Sequence, residues 1–196
     1  MVNEFLNNGY AVINIFNNSD INHLKLLVSK KINNSLNYFD KKKVKFFPNK
    51  IKFYHNIIGD EILHKKVINN SKRYIHLQKE NKKKIINHNK INKILKKYWG
   101  HNKIVIKWIG SLRKKEIKNN CCGFRLSRPV LRRKFDSAGA HCDINVGGRL
   151  SNDKKIMLTV WVPLEGFSKK YTLKLYRKSH LKLNSKNKIK KKRKSI

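Results

Sequence analysis

Apolar residues recur along the first hundred positions at helical spacing. After Ser19-Asp20, which offers an N-cap, Ile21, Leu24, Leu27, Val28 and Ile32 fall on one face of a helix. A second pattern starts at Asp60-Glu61 and runs through Ile62, Leu63, Val67, Ile68, Tyr74 and Ile75. A third carries Ile85, Ile86, Ile91, Ile94, Leu95 and Tyr98 and stops before Gly100. Ahead of these, Asn8-Gly9 reads as a turn leading into a short strand around Val12 and Ile13. Residues 41–58 follow no period; Phe46, Phe47, Phe53 and Tyr54 supply aromatic bulk in a loop or irregular stretch.

Past Gly100 the period shortens. Ile104 to Ile109 is strand material ending at Gly110, and Gly123 to Arg128 is a second run stopped by Pro129. Ile156 to Val162 is β-branched and aromatic and stops at Pro163, while Tyr171 to Tyr176 alternates with a period of two. Helices followed by strands predict an α+β fold with helices packed outside a sheet or barrel. The expected division is a single domain over 1–181, with 1–100 a mainly helical buttress and 101–181 the strands. Residues 182–196, KLNSKNKIKKKRKSI, read as a basic disordered tail.

Composition changes this picture in one respect. Against 11 Asp and Glu stand 48 Lys and Arg, a formal net charge of +37. Such a chain binds polyanions non-specifically at low salt. Lys far outnumbers Arg, however, and is scattered between apolar positions rather than gathered in a stripe. A solvated surface and a nucleic-acid-binding role therefore both stand; no helix-turn-helix, zinc-finger or RNP-like pattern favours the second. The 39% hydrophobic content excludes wholesale disorder. No stretch of about eighteen uncharged apolar residues is present, and the N-terminus has no secretory pattern, so a cytoplasmic protein with no membrane span is expected. Cys121, Cys122 and Cys142 form no CxxC pair and read as reduced thiols.

The candidate chemistry lies between Phe124 and His180. His141 and Asp143 are two apart, and in an extended segment they project to one side. An imidazole and a carboxylate suit Fe(II). The bare spacing is equally that of a polar strand end; its neighbours in the chain distinguish it. FLNNGYAVI (Phe5 to Ile13), GFRLSRP followed by GAHCD, LTVWVPLEG (Leu158 to Gly166) and YTLKLYRKSH (Tyr171 to His180) come in that order over most of the chain. Together they resemble the phytanoyl-CoA dioxygenase-like branch of the Fe(II)/2-oxoglutarate dioxygenases.

That resemblance implies a double-stranded β-helix, the jelly-roll barrel, with the N-terminal helices buttressing one sheet. It implies Fe(II) as metal, with His141 and Asp143 as ligands, 2-oxoglutarate as co-substrate, and hydroxylation of a small-molecule substrate. Trp161 matches a position near the 2-oxoglutarate pocket, or is a core tryptophan. Arg125 and Arg128 either face an anionic co-substrate in the cavity or are surface residues. His180 is either a stand-in third ligand or an exposed turn histidine, and Arg177-Lys178 occupies the place of the family's Pro-Gly.

The family's distal His and its basic 2-oxoglutarate clamp have no counterpart in the sequence. About 55 residues follow His141, some fifteen of them in the tail, whereas six further strands and their loops need roughly 55 to 65. The expectation is an incomplete barrel, so two alternatives accompany the oxygenase: a catalytically inactive, truncated remnant of the family, and a basic nucleic-acid-binding protein.

Overall fold

The computed structural model describes residues 2–39, 48–100, 104–111, 116–128, 158–167 and 173–176. The longest element is helix α2 (Asn18–Phe39). Leu24, Val28, Ile32 and Leu36 recur every fourth residue and are buried along one stripe. The helix begins two residues before the sequence signal. Asn17 is its cap: the Asp20 N–H donates to Asn17 Oδ1 and the Asn17 N–H donates to Asp20 Oδ2, both at 2.9 Å. This reciprocal pair satisfies two orphan donors of the first turn. A cap contributes about 1 kcal/mol, less than the roughly 1.5–3 kcal/mol from each buried aliphatic side chain, so packing holds α2 in place.

Around that stripe the core gathers Tyr54, Ile58, Val67, Ile68, Ile75 and Leu126. Residues 48–57, expected to be irregular, form a 3-10 helix (Pro48–Phe53) and the short helix α3 (Tyr54–Ile57), and Tyr54 is buried. Helix α4 (Glu61–Asn70) starts where the sequence places it, with Asp60 accepting the Leu63 N–H at 2.6 Å.

It does not run on to Ile75. The Ser71 hydroxyl donates back to the Ile68 carbonyl at 3.1 Å, and Lys72 and Arg73 take left-handed φ of 54° and 52°. Such a conformation costs a non-glycine residue about 1–2 kcal/mol. The chain leaves the turn as strand β1 (Tyr74–His76). Ile75 lies seven residues after Ile68, so it fits the helical pattern while its neighbours Tyr74 and His76 belong to a strand.

The third pattern is two helices, α5 (Lys79–Ile86) and α6 (Asn89–Trp99), separated at Asn87-His88. The Asn92 side chain donates to the Ile86 carbonyl at 3.1 Å, and His88 Nδ1 accepts the Lys90 N–H at 3.3 Å, so side chains close both ends of the break. Gly100 ends α6 with φ 65°, its N–H reaching the Lys96 carbonyl at 3.1 Å. At the start of the chain, helix α1 (Val2–Asn8) replaces the expected turn, and Gly9 (φ 83°) is its left-handed end. Residues 10–16 belong to no strand, although Ala11, Ile13 and Ile15 are half-buried and Val12 and Asn14 exposed, as in a strand.

Among the described residues the strands make two antiparallel pairs. Strand β2 (Lys107–Ser111) pairs with β3 (Glu116–Asn119), an element absent from the sequence reading, with an irregularity between Ile109 and Ser111. Strand β4 (Cys121–Gly123) pairs with β1. Asn120, with φ 54°, is the corner between them: its N–H donates to the Ile106 carbonyl and its carbonyl accepts the Leu77 N–H, both at 2.9 Å. The fold is thus mixed helix and small antiparallel sheet, an α+β arrangement. Residues 158–167 and 173–176 carry no strand. No helix among the described residues is long and apolar enough to cross a membrane.

Candidate functional site

His141 and Asp143 lie outside the described residues, as do His180 and the 182–196 tail. The segments on either side of the His-x-Asp pair are described, and both rest on the same core. Leu126 is buried in it, and Phe124, Val162 and Leu164 pack against it. An ion pair fastens the downstream segment: Lys25 Nζ of α2 stands 2.6 Å from Glu165 Oε2.

The two arginines have different surroundings. Arg125 is exposed. Arg128 is 4% exposed, and its guanidinium donates to the carbonyls of Gly59 at 3.0 Å and Ile58 at 3.5 Å, in the corner between α3 and α4. A buried guanidinium stays charged and must find acceptors. Its charge also helps hold Asp60 below the ordinary carboxylate range, after the larger effect of the Leu63 N–H donating to that carboxylate. Trp161 is not a core tryptophan: it is 44% exposed and meets Phe167 edge to face, ring centroids 5.1 Å apart. Among the described residues no three His, Cys, Asp or Glu side chains are grouped to hold a metal ion.

A second cluster went unread in the sequence. In the β1–β4 pair Tyr74 faces Gly123, Ile75 faces Cys122 and His76 faces Cys121. Ile75 and Cys122 contribute to the core, so alternation sends Tyr74, His76 and Cys121 to the opposite face, where His76 is exposed, Tyr74 half-buried and Cys121 fully buried. There Tyr74 lies 4.9 Å from Trp108 of β2, ring planes 37° apart, and 5.7 Å from His76, edge to face. Gly123 makes room for the indole: a Cβ at that position would stand 2.6 Å from Trp108 Cδ1 and Nε1. The Lys31 ammonium lies 5.0 Å from the Tyr74 ring centre. The only sequence signals were the three-residue alternation Tyr74-Ile75-His76 and a lone glycine, both too short to separate from the helical pattern before them.

Cys121 Sγ sits 3.2 Å from His76 Nδ1 and 3.3 Å from the Asn119 carbonyl. Geometry alone would suit a thiolate nucleophile with an adjacent base. Burial argues otherwise, pushing the Cys121 thiol up despite the opposing charges of Lys118 and Lys31, and pushing Cys122 up to about 11. Both sulfurs are therefore neutral thiols near pH 7. Elsewhere, a hollow of about 510 Å³ is lined by Ile15, Lys84, Asn87, His88, Asn89 and Lys90. One of its two lysines is committed: Lys84 Nζ holds both Asp20 carboxylate oxygens at 2.6 Å, tying α5 to the start of α2.

No family model matches the sequence, and comparison with curated proteins and with solved structures likewise gives no match.

Proposed function

We propose that the chain is an Fe(II)/2-oxoglutarate-dependent oxygenase of the phytanoyl-CoA dioxygenase-like kind, acting on a small molecule. The observation that carries this reading is His141-x-Asp143 set between GFRLSRP and WVPL in the family's order. Its support in the fold is that Phe124 and Leu126 on one side, and Val162 and Leu164 on the other, pack on a single core. His141 and Asp143 are the residues that would hold the ion, and Arg125 and Trp161, both exposed, are those free to meet a co-substrate. Bound Fe(II) with 2-oxoglutarate would activate molecular oxygen, the oxidant, with one oxygen atom going to the succinate left by decarboxylation and the other to the hydroxylated product.

Iron stoichiometry on anaerobically purified protein tests the reading. The native chain is expected to hold about one Fe(II), and His141→Ala and Asp143→Ala to lose it. Iron content indifferent to both substitutions overturns the site. Succinate release on adding 2-oxoglutarate then separates the enzyme from an inactive relative: iron retained with succinate at the His141→Ala background identifies the inactive remnant.

A further inference from the structure

We propose that the outer face of the β1–β4 pair binds single-stranded nucleic acid, with Trp108 and Tyr74 as a stacking platform and Lys31, Lys72, Arg73 and Lys118 contacting the phosphate backbone. The face is aromatic although it lies opposite the core side of the pair, and its accessible part is Tyr74, His76 and Trp108, with Cys121 fully buried beside them. Its buried counterpart, Ile75, is aliphatic, whereas Tyr74 and Trp108 are only half-buried and His76 is exposed. Trp108 reaches its place because Gly123 carries no side chain, so the platform is built from a gap in the adjacent strand.

Cations adjoin it. Lys31 lies over the Tyr74 ring, Lys118 is the cross-strand partner of Trp108, and Lys72-Arg73 is the turn that feeds Tyr74 into the strand. Among the described residues the left-handed non-glycine positions are Lys72, Arg73 and Asn120, and each adjoins this face. Glycine would fill such positions without strain; the chain instead retains two exposed basic side chains there. Flat rings interleaved with cations match unpaired bases on a phosphodiester backbone, because a base must be unstacked from its neighbours to lie on a side chain. The net charge of +37 draws in any polyanion, so the aromatic contribution is what distinguishes this surface.

Fluorescence anisotropy of the full chain, with a labelled oligothymidylate of about 12 nucleotides and with inorganic polyphosphate as a base-free polyanion, separates the two contributions. Trp108→Ala is expected to weaken oligothymidylate binding about 5- to 100-fold and to leave polyphosphate unchanged. Lys31→Gln and Arg73→Gln are each expected to lower the salt slope by about 0.7. Unchanged oligothymidylate affinity in Trp108→Ala, or an equal loss for both probes, overturns the proposal. Trp108→Phe, which keeps a ring and the fold, provides an independent reading. The oligonucleotide should quench tryptophan emission in the native chain and lose most of that quench in Trp108→Phe, with affinity held within a few-fold. Equal quenching in the two proteins also overturns the surface.

Discussion

The buried guanidinium of Arg128 donates to the main-chain carbonyl of Gly59 at 3.0 Å, joining the end of the GFRLSR segment to the corner between α3 and α4. The contact joins residues 69 apart, and it makes the segment before the His-x-Asp pair depend on the helical half. Arg128→Met removes the donor and leaves the Gly59 carbonyl short of a partner. A loss of about 1–3 kcal/mol is expected in urea unfolding. An unchanged midpoint together with weakened 2-oxoglutarate binding would instead show that Arg128 serves the co-substrate.

Gly123→Ala should destabilise the chain by about 1–3 kcal/mol, since the new methyl meets the rigid indole of Trp108 rather than the end of a flexible chain. Combining it with Trp108→Ala should recover most of that loss. Additive effects in the double-mutant cycle would show that the two residues are not in contact.

The acid limb of stability should depend on Asp20 and Asp60. Lys84 and the Asn17 N–H lower the first below its ordinary 3.8, and the Leu63 N–H lowers the second. A carboxylate depressed in the folded state adds stability that is complete above its unfolded pKa and is lost as pH falls through the folded value. Urea midpoints measured from about pH 6 to about pH 2 should therefore fall more steeply in the native chain than in Asp60→Asn, which keeps an acceptor for Leu63 without the charge. Parallel acid limbs would exclude Asp60 as a contributor.

Neither Cys121 nor Cys122 should react readily with iodoacetamide near neutral pH in the native chain, because burial raises both thiols. Peptide mapping should find them labelled rapidly only after urea unfolding. Labelling of native Cys121 faster than of the unfolded chain would mean that His76 activates it, as in a nucleophilic pair.

The elements predicted well are those whose signal is local and repeated. The α2 stripe spans several turns, and Asp60 is both a cap residue and the start of an apolar period, so both helices are present, with α2 starting two residues early and α4 starting where the pattern puts it. The errors fall where two periods agree with the same residues. Ile75 suited a helix continuing from Ile68, and only the Ser71 hydroxyl and the left-handed Lys72-Arg73 turn redirect it into a strand. In the third apolar run, His88 and Asn92 break one apparent helix into two.

By itself the sequence determined the α+β composition, the helical stripe that became the core, the positive charge, and the ordered motifs around His141 and Asp143. Tertiary structure decided which strands pair, that Arg128 is buried against Gly59, that Trp161 sits at the surface against Phe167, and that Tyr74, Trp108 and His76 share an outer face. The reason is separation along the chain. A cap or a stripe is formed by residues a few positions apart, whereas Trp108 meets Tyr74 only after an antiparallel pairing joins β1 to β4 across some 45 residues, and no local period records that contact.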